Sequence, residues 1–233
     1  MQQAESHLSK WLFIYASSYT VMHIVPAVLP GELLHKLMLG DVLDLLTPFV
    51  LLMLVFILYK KSTTGVPHPP IFGVQLLLII GAVSFVEGHG MHLAANAIFR
   101  HLDTPGTPLY QLTYFFDETL GHILWDAGLL LIAIGLILAS RTGQGILFVK
   151  DVVLLLVAAL LYGFTYFVNA VEGQTVLFTL PAAILIPVLL FLNASKNRVA
   201  LFFAAAFAVA DLFFLIWWMW QGGFPQFSEL GWI

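Results

Sequence analysis

Cysteine is absent from the 233-residue chain, so disulfides, thiolate metal sites, iron–sulfur clusters and covalently attached c-type haem have no ligands here. Charge is nearly as scarce. Only 9% of residues are Asp, Glu, Lys or Arg, where a soluble domain carries about a quarter. That scarcity excludes an ordinary globular protein and a charge-rich disordered chain alike. Cations are too few for a basic stripe: 9 Lys and Arg stand against 13 Asp and Glu. No nucleic-acid partner is therefore expected. Internal repeats, low-complexity stretches and a polar segment long enough for a separate soluble domain are lacking too.

What is abundant is hydrocarbon. Hydrophobic residues make up 61% of the chain and the mean hydropathy is +0.97. A spanning helix needs roughly 20 mainly apolar residues. Seven segments meet that need, at 11–30, 42–59, 71–99, 111–139, 146–171, 174–193 and 199–220. Breakers punctuate them at Pro30-Gly31, Gly65 to Pro70, Pro105-Gly106, Gly143 and Gly145, and Gly222-Gly223. Solid apolar runs such as Leu129 to Leu138 do not alternate as barrel strands would. The expectation is one all-α integral membrane domain over residues 1–233, a seven-transmembrane-helix bundle with short loops. The first span is expected to stay in place and not to be cleaved as a signal peptide. At Gly173 the reading leaves open two helices or one broken helix. Gly31 to Leu39 reads as a short amphipathic turn on the outer interface.

Orientation follows the cations in the connections. Lys10, Lys60, Lys61, Arg141, Lys150, Lys196 and Arg198 fall on the N-terminal side, and only Lys36 and Arg100 on the other. Seven against two predicts an N-in, C-out topology.

Ionisable side chains inside a membrane are costly and point to function or pairing. Here they crowd the outer halves of the spans. Glu87, His89, His92 and Asn96 lie on span three, and Asp117, Glu118, His122 and Asp126 on span four. Asn169 and Glu172 end span five, and Asp211 sits on span seven. At about 100° per residue, His89, His92 and Asn96 share one sector, while Glu118, His122 and Asp126 form an i, i+4, i+8 stripe. Glu87 and Asp117 point elsewhere on their helices. Spans three and four are joined by a short loop, so their stripes are expected to face each other as antiparallel neighbours.

Imidazoles and carboxylates projecting from facing helices are how bundle metal sites are built. The expected ligands are His89, His92 and His122, with Glu118 and Asp126 as catalytic carboxylates. Glu87, Asn96, Asp117, Asn169, Glu172 and Asp211 are expected around the cavity. Such a set suits zinc, iron or copper without choosing among them. The leading expectation is a metal-dependent enzyme acting on a lipid-like or small apolar substrate, its site opening to the non-cytoplasmic side. Two alternatives stay open. One is a b-type haem electron carrier with His122 and either His89 or His92 as axial ligands. The other is a structural subunit whose polar residues hold helices together or bind partner membrane subunits.

Ser84 followed by His89, and the later Phe115 to Leu120 run, resemble the alkaline ceramidase and adiponectin-receptor superfamily over spans three and four. The resemblance implies a zinc-dependent membrane amidase acting on ceramide-like lipids. That superfamily draws two zinc-binding histidines from its last helix, whereas spans five to seven here contain no His. No catalytic residue is carried over.

Overall fold

Hydrocarbon offers no partner to a backbone N–H or C=O, so an apolar run that crosses it must satisfy those groups within itself, as a helix does. A computed structural model describes residues 2–34, 36–63, 71–102, 104–140, 148–192 and 197–232. Its long elements are α1 (Gln2–Val28), α3 (Thr47–Thr63), α4 (Phe72–Phe99), α6 (His122–Ala139), α7 (Val149–Glu172), α8 (Val176–Leu192) and α9 (Arg198–Gln221). A short α2 (Leu39–Asp44) leads into α3, and α5 (Pro108–Tyr114) runs through a π-helical stretch, Phe115–Gly121, into α6.

Six of these stretches are long and apolar enough to cross a membrane: α1, α2 with α3, α4, α5 through α6, α7 and α9. The remaining expected span, 174–193, is shorter. α8 has 17 residues and carries Pro181 and Pro187 inside it. Gly173 separates two helices, with Gln174 at a φ of 54° turning the chain between them. Ring contacts fix the directions. Tyr162 of α7 packs on Phe202, Tyr166 on Phe207 and Phe167 on Phe214 of α9, so α7 and α9 run parallel. α8 must therefore carry the chain back between them. The end at which α1, α4, α7 and α9 finish is called the outer end below.

The stretch from Gly31 to Leu39 turns as a short β-hairpin. Glu32–Leu34 (β1) and Leu37–Met38 (β2) pair antiparallel, because Lys36 adopts a left-handed φ of 59° that closes a hairpin. The hairpin is latched to the end of α4: Arg100 donates to both oxygens of Asp41, and Lys36 Nζ donates 2.8 Å to the Arg100 carbonyl.

Two helix pairs organise the bundle. Between α1, α7 and α9 lies an aromatic core of Tyr15, Tyr19, Tyr162, Tyr166, Phe202, Phe203 and Phe207, all fully buried. At the inner end Arg198 and Asp151 are buried together, Nη2 to Oδ2 3.7 Å, with Ser9 Oγ 3.4 Å from Nη1. The antiparallel α4–α6 pair is built differently. Gly81 on α4 meets Gly128 on α6, and Gly88 meets Gly121 at the end of the π-helical stretch. A Cβ at Gly88 would fall 2.3 Å from the Trp125 backbone N, and one at Gly128 2.4 Å from that of Phe85. Backbone lies on backbone, the close approach that small residues permit in membranes.

Candidate functional site

That close crossing places Trp125 at the outer half of the bundle, where four histidines surround it. Ring centroids of His89, His23, His92 and His122 lie 4.7, 5.2, 5.6 and 5.6 Å from the indole. His122 stacks on Trp125 at an interplanar angle of 11°, and its own ring is 4.5 Å from that of His92. Gly173, in the α7–α8 turn, makes room for it: a Cβ there would lie 2.5 Å from His122 Nδ1. His23 is fixed from its own helix, its Nδ1 2.7 Å from the Tyr19 carbonyl. Trp125 Nε1 and His23 Nε2 are buried with no hydrogen-bond partner among the described residues.

Two of the imidazoles are held by carboxylates. His89 Nε2 lies 3.1 Å from Asp44 Oδ1, which also accepts a 2.6 Å bond from Thr47 Oγ1. Asp44 points inward because the chain breaks at Leu45–Leu46, between α2 and α3, before a first turn that holds Pro48. Proline is tolerated there, where its missing N–H would have no partner anyway. The second pair is His92 Nδ1 and Asp117 Oδ1, 2.7 Å apart though off the line of a hydrogen bond.

Asp117 corrects the sequence reading. An unbroken α-helix would put Glu118 on the face of His122. The π-helical stretch closes i→i+5 bonds and moves that alignment back by one residue. Asp117, five residues before His122, is buried, and Glu118 is only half-buried, facing Gln226 of the C-terminal segment. Asp126 is buried but engages Thr175, which donates a short bond to its Oδ2, so it does not orient His122. Glu87 is exposed on α4, outside the cluster. Asn96 is half-buried one turn beyond His92. Asn169 Nδ2 donates to Tyr19 Oη at 3.3 Å. Glu172 Oε2 accepts from the Phe227 and Ser228 amides at 2.8 and 3.3 Å, and so clasps the C-terminal segment. Asp211 lines a different groove, between α8 and α9. Sequence reasoning missed Asp44, Trp125 and Gly173. A carboxylate three residues before Thr47-Pro48 was the available signal for the first.

Among the described residues the arrangement brings no three His, Asp or Glu side chains together as an ion would require. Nor does it fit haem between His92 and His122, since rings 4.5 Å apart leave no room for a porphyrin. What the His89–Asp44 pair supplies is acid–base capacity: an imidazole hydrogen-bonded to a carboxylate has a fixed tautomer and one nitrogen free to exchange a proton. A groove of about 360 Å³ between α3 and α4 ends at this cluster. It is lined by Pro48, Phe49 and Leu52 on one side and Val86 and Leu93 on the other, with His89 as its one ionisable group.

The chain resembles ceroid-lipofuscinosis neuronal protein 6 of Homo sapiens, 26% identical over 254 aligned positions that cover 94% of this chain and 78% of that protein. The homologue from Canis lupus familiaris matches over the same share at 24%. Neither name specifies a reaction, a metal or a ligand. No family model matches, so the likeness of spans three and four to the amidase superfamily gains no support. No solved structure matches. The chain is an integral multi-pass membrane protein embedded in lipid.

Proposed function

We propose that this protein crosses the membrane seven times with its N terminus in the cytoplasm, and that it binds a lipid-like molecule from the non-cytoplasmic half of the bilayer. The Lys/Arg asymmetry and the parallel run of α7 and α9 support the topology. The acyl portion lies in the α3–α4 groove and the polar head reaches His89. With Nε2–H directed at Asp44, Nδ1 of His89 accepts a proton from the head or from water, and His92 with Asp117 forms a second exchange site. One observation carries this reading: an apolar groove open to lipid ends on a carboxylate-held histidine. Neither proton-exchange site calls on a metal.

A second reading has its own observation. Thr47 bonds both Asp44 and the Met22 carbonyl, so the same polar groups tie α1, α3 and α4 together. Photolabelling separates the two. In liposomes holding a phosphatidylcholine with a diazirine on its acyl chain, label should concentrate on peptides spanning 45–52 and 86–93. Leu52→Trp, which fills the groove, should divert it. Label spread evenly over all exposed helices, unchanged by Leu52→Trp, would leave only the helix-tying role.

A further inference from the structure

Asp211 is the one carboxylate of α9, and it stands apart from the histidine cluster. By the 1.5 Å rise per residue it lies about 15 Å below Gln221, well inside the hydrocarbon. Its Oδ1 is buried with no hydrogen-bond partner among the described residues. A lone carboxylate at that depth is costly unless a partner meets it. It opens onto a cavity of about 330 Å³ between α8 and α9, whose wall also holds Leu180, Ile184, Phe214, Trp218 and Phe224. Asp211, Phe214 and Trp218 recur at i, i+3 and i+7, one face of α9. Phe224, from the segment beyond α9, stands edge-on to Phe214 with centroids 6.0 Å apart.

We propose that this groove binds a cationic amphiphile, a lipophilic amine whose ammonium pairs with Asp211 among Phe214, Trp218 and Phe224. Each element of the site selects for that chemistry. The carboxylate supplies the opposite charge, and the aromatic faces attract a cation, more strongly where water is excluded. Leu180 and Ile184 continue the wall as an apolar track for the tail, and Ile184 faces the bilayer from which such a ligand would arrive. A neutral lipid satisfies the apolar wall but leaves the carboxylate unpaired. An anionic lipid is repelled. The site is independent of the α3–α4 groove, so either can fail without the other.

Quenching of tryptophan fluorescence by 12-bromododecylamine, with the full chain in phosphatidylcholine nanodiscs, tests it. A saturable component is expected, lost in Trp218→Phe and shifted at least about tenfold to higher probe concentration in Asp211→Asn, the scale of one lost charge-assisted contact. Ile184→Trp, which fills the groove while leaving the carboxylate, should weaken it as well and covers the case in which Asp211→Asn folds poorly. 12-Bromododecanol should quench without saturation. Equal saturable quenching by the alcohol, or an unshifted curve in both variants, overturns the proposal. So does a photo-crosslinker at Ile184 that captures a second polypeptide and is not displaced by the amine.

Discussion

The α4–α6 and α7–α9 pairs are both tight, yet only the first has histidines packed along its crossing. In α7–α9 a single glycine, Gly163, lets the backbones meet at Ala206, and Tyr162, Phe202, Phe203 and Phe207 fill the flanks. In α4–α6 the contact repeats along the helices, from Gly81 to Gly88 and from Gly121 to Gly128. Its outer flank is filled by Trp125 and by His89 and His92. Aromatic hydrocarbon beside a close crossing makes a sealed core. Imidazoles and carboxylates beside one come within bonding reach of each other across facing helices. The difference lies in what surrounds the glycines, not in the glycines.

The harshest way to break the comparison is to hold the α4–α6 backbones apart. Gly88→Leu places side-chain atoms where the Trp125 backbone lies, and should lower stability by about 3 kcal/mol or more. Thermal unfolding in detergent would report it. Smaller is Asp126→Leu, which leaves the buried Thr175 hydroxyl only the Ala170 carbonyl at 3.5 Å and should cost about 1–3 kcal/mol in the same assay. Asp126→Asn keeps an acceptor for that hydroxyl and should cost less. Gly173→Ala meets the His122 ring at 2.5 Å and the Asn169 backbone carbonyl at 3.0 Å. A loss of about 1 kcal/mol is expected, with a shift in the His122 imidazole resonances and none in those of His23. Least of all, Gly90→Ala on α4, where a Cβ meets nothing within 4 Å, should change stability by less than about 0.5 kcal/mol. A large effect there would mean that glycine content, and not close approach, governs α4.

Much of the fold was legible because hydrocarbon leaves helices few alternatives. Runs such as Leu129 to Leu138 announce a span whatever their neighbours do. The juxtaposition of spans three and four was equally readable from their short connection, and it brings the rings of His92 and His122 together. The register of the site was not. The π-helical stretch buries Asp117 beside His92 and leaves Glu118 half-buried, and nothing in Phe115 to Gly121 advertises a change from 3.6 residues per turn. Asp126 was assigned to His122 because i, i+4 geometry considers one helix at a time, while Thr175 arrives from another. Asp211 was grouped with the rest by depth alone, and depth says nothing of azimuth. Trp125 went unread because an indole in a hydrophobic run looks like any other apolar residue.

The shortness of α8 bears on the lipid as much as on the protein. Its 17 residues rise about 26 Å, against a hydrocarbon thickness of about 30 Å in a typical bilayer. The chain returns between two helices of 24 residues, so the deficit falls on one side of the bundle only. If α8 crosses as proposed, acyl chains beside it must shorten or disorder to cover that deficit. Such thinning would lower the barrier for a headgroup to descend beside the groove into which Asp211 opens.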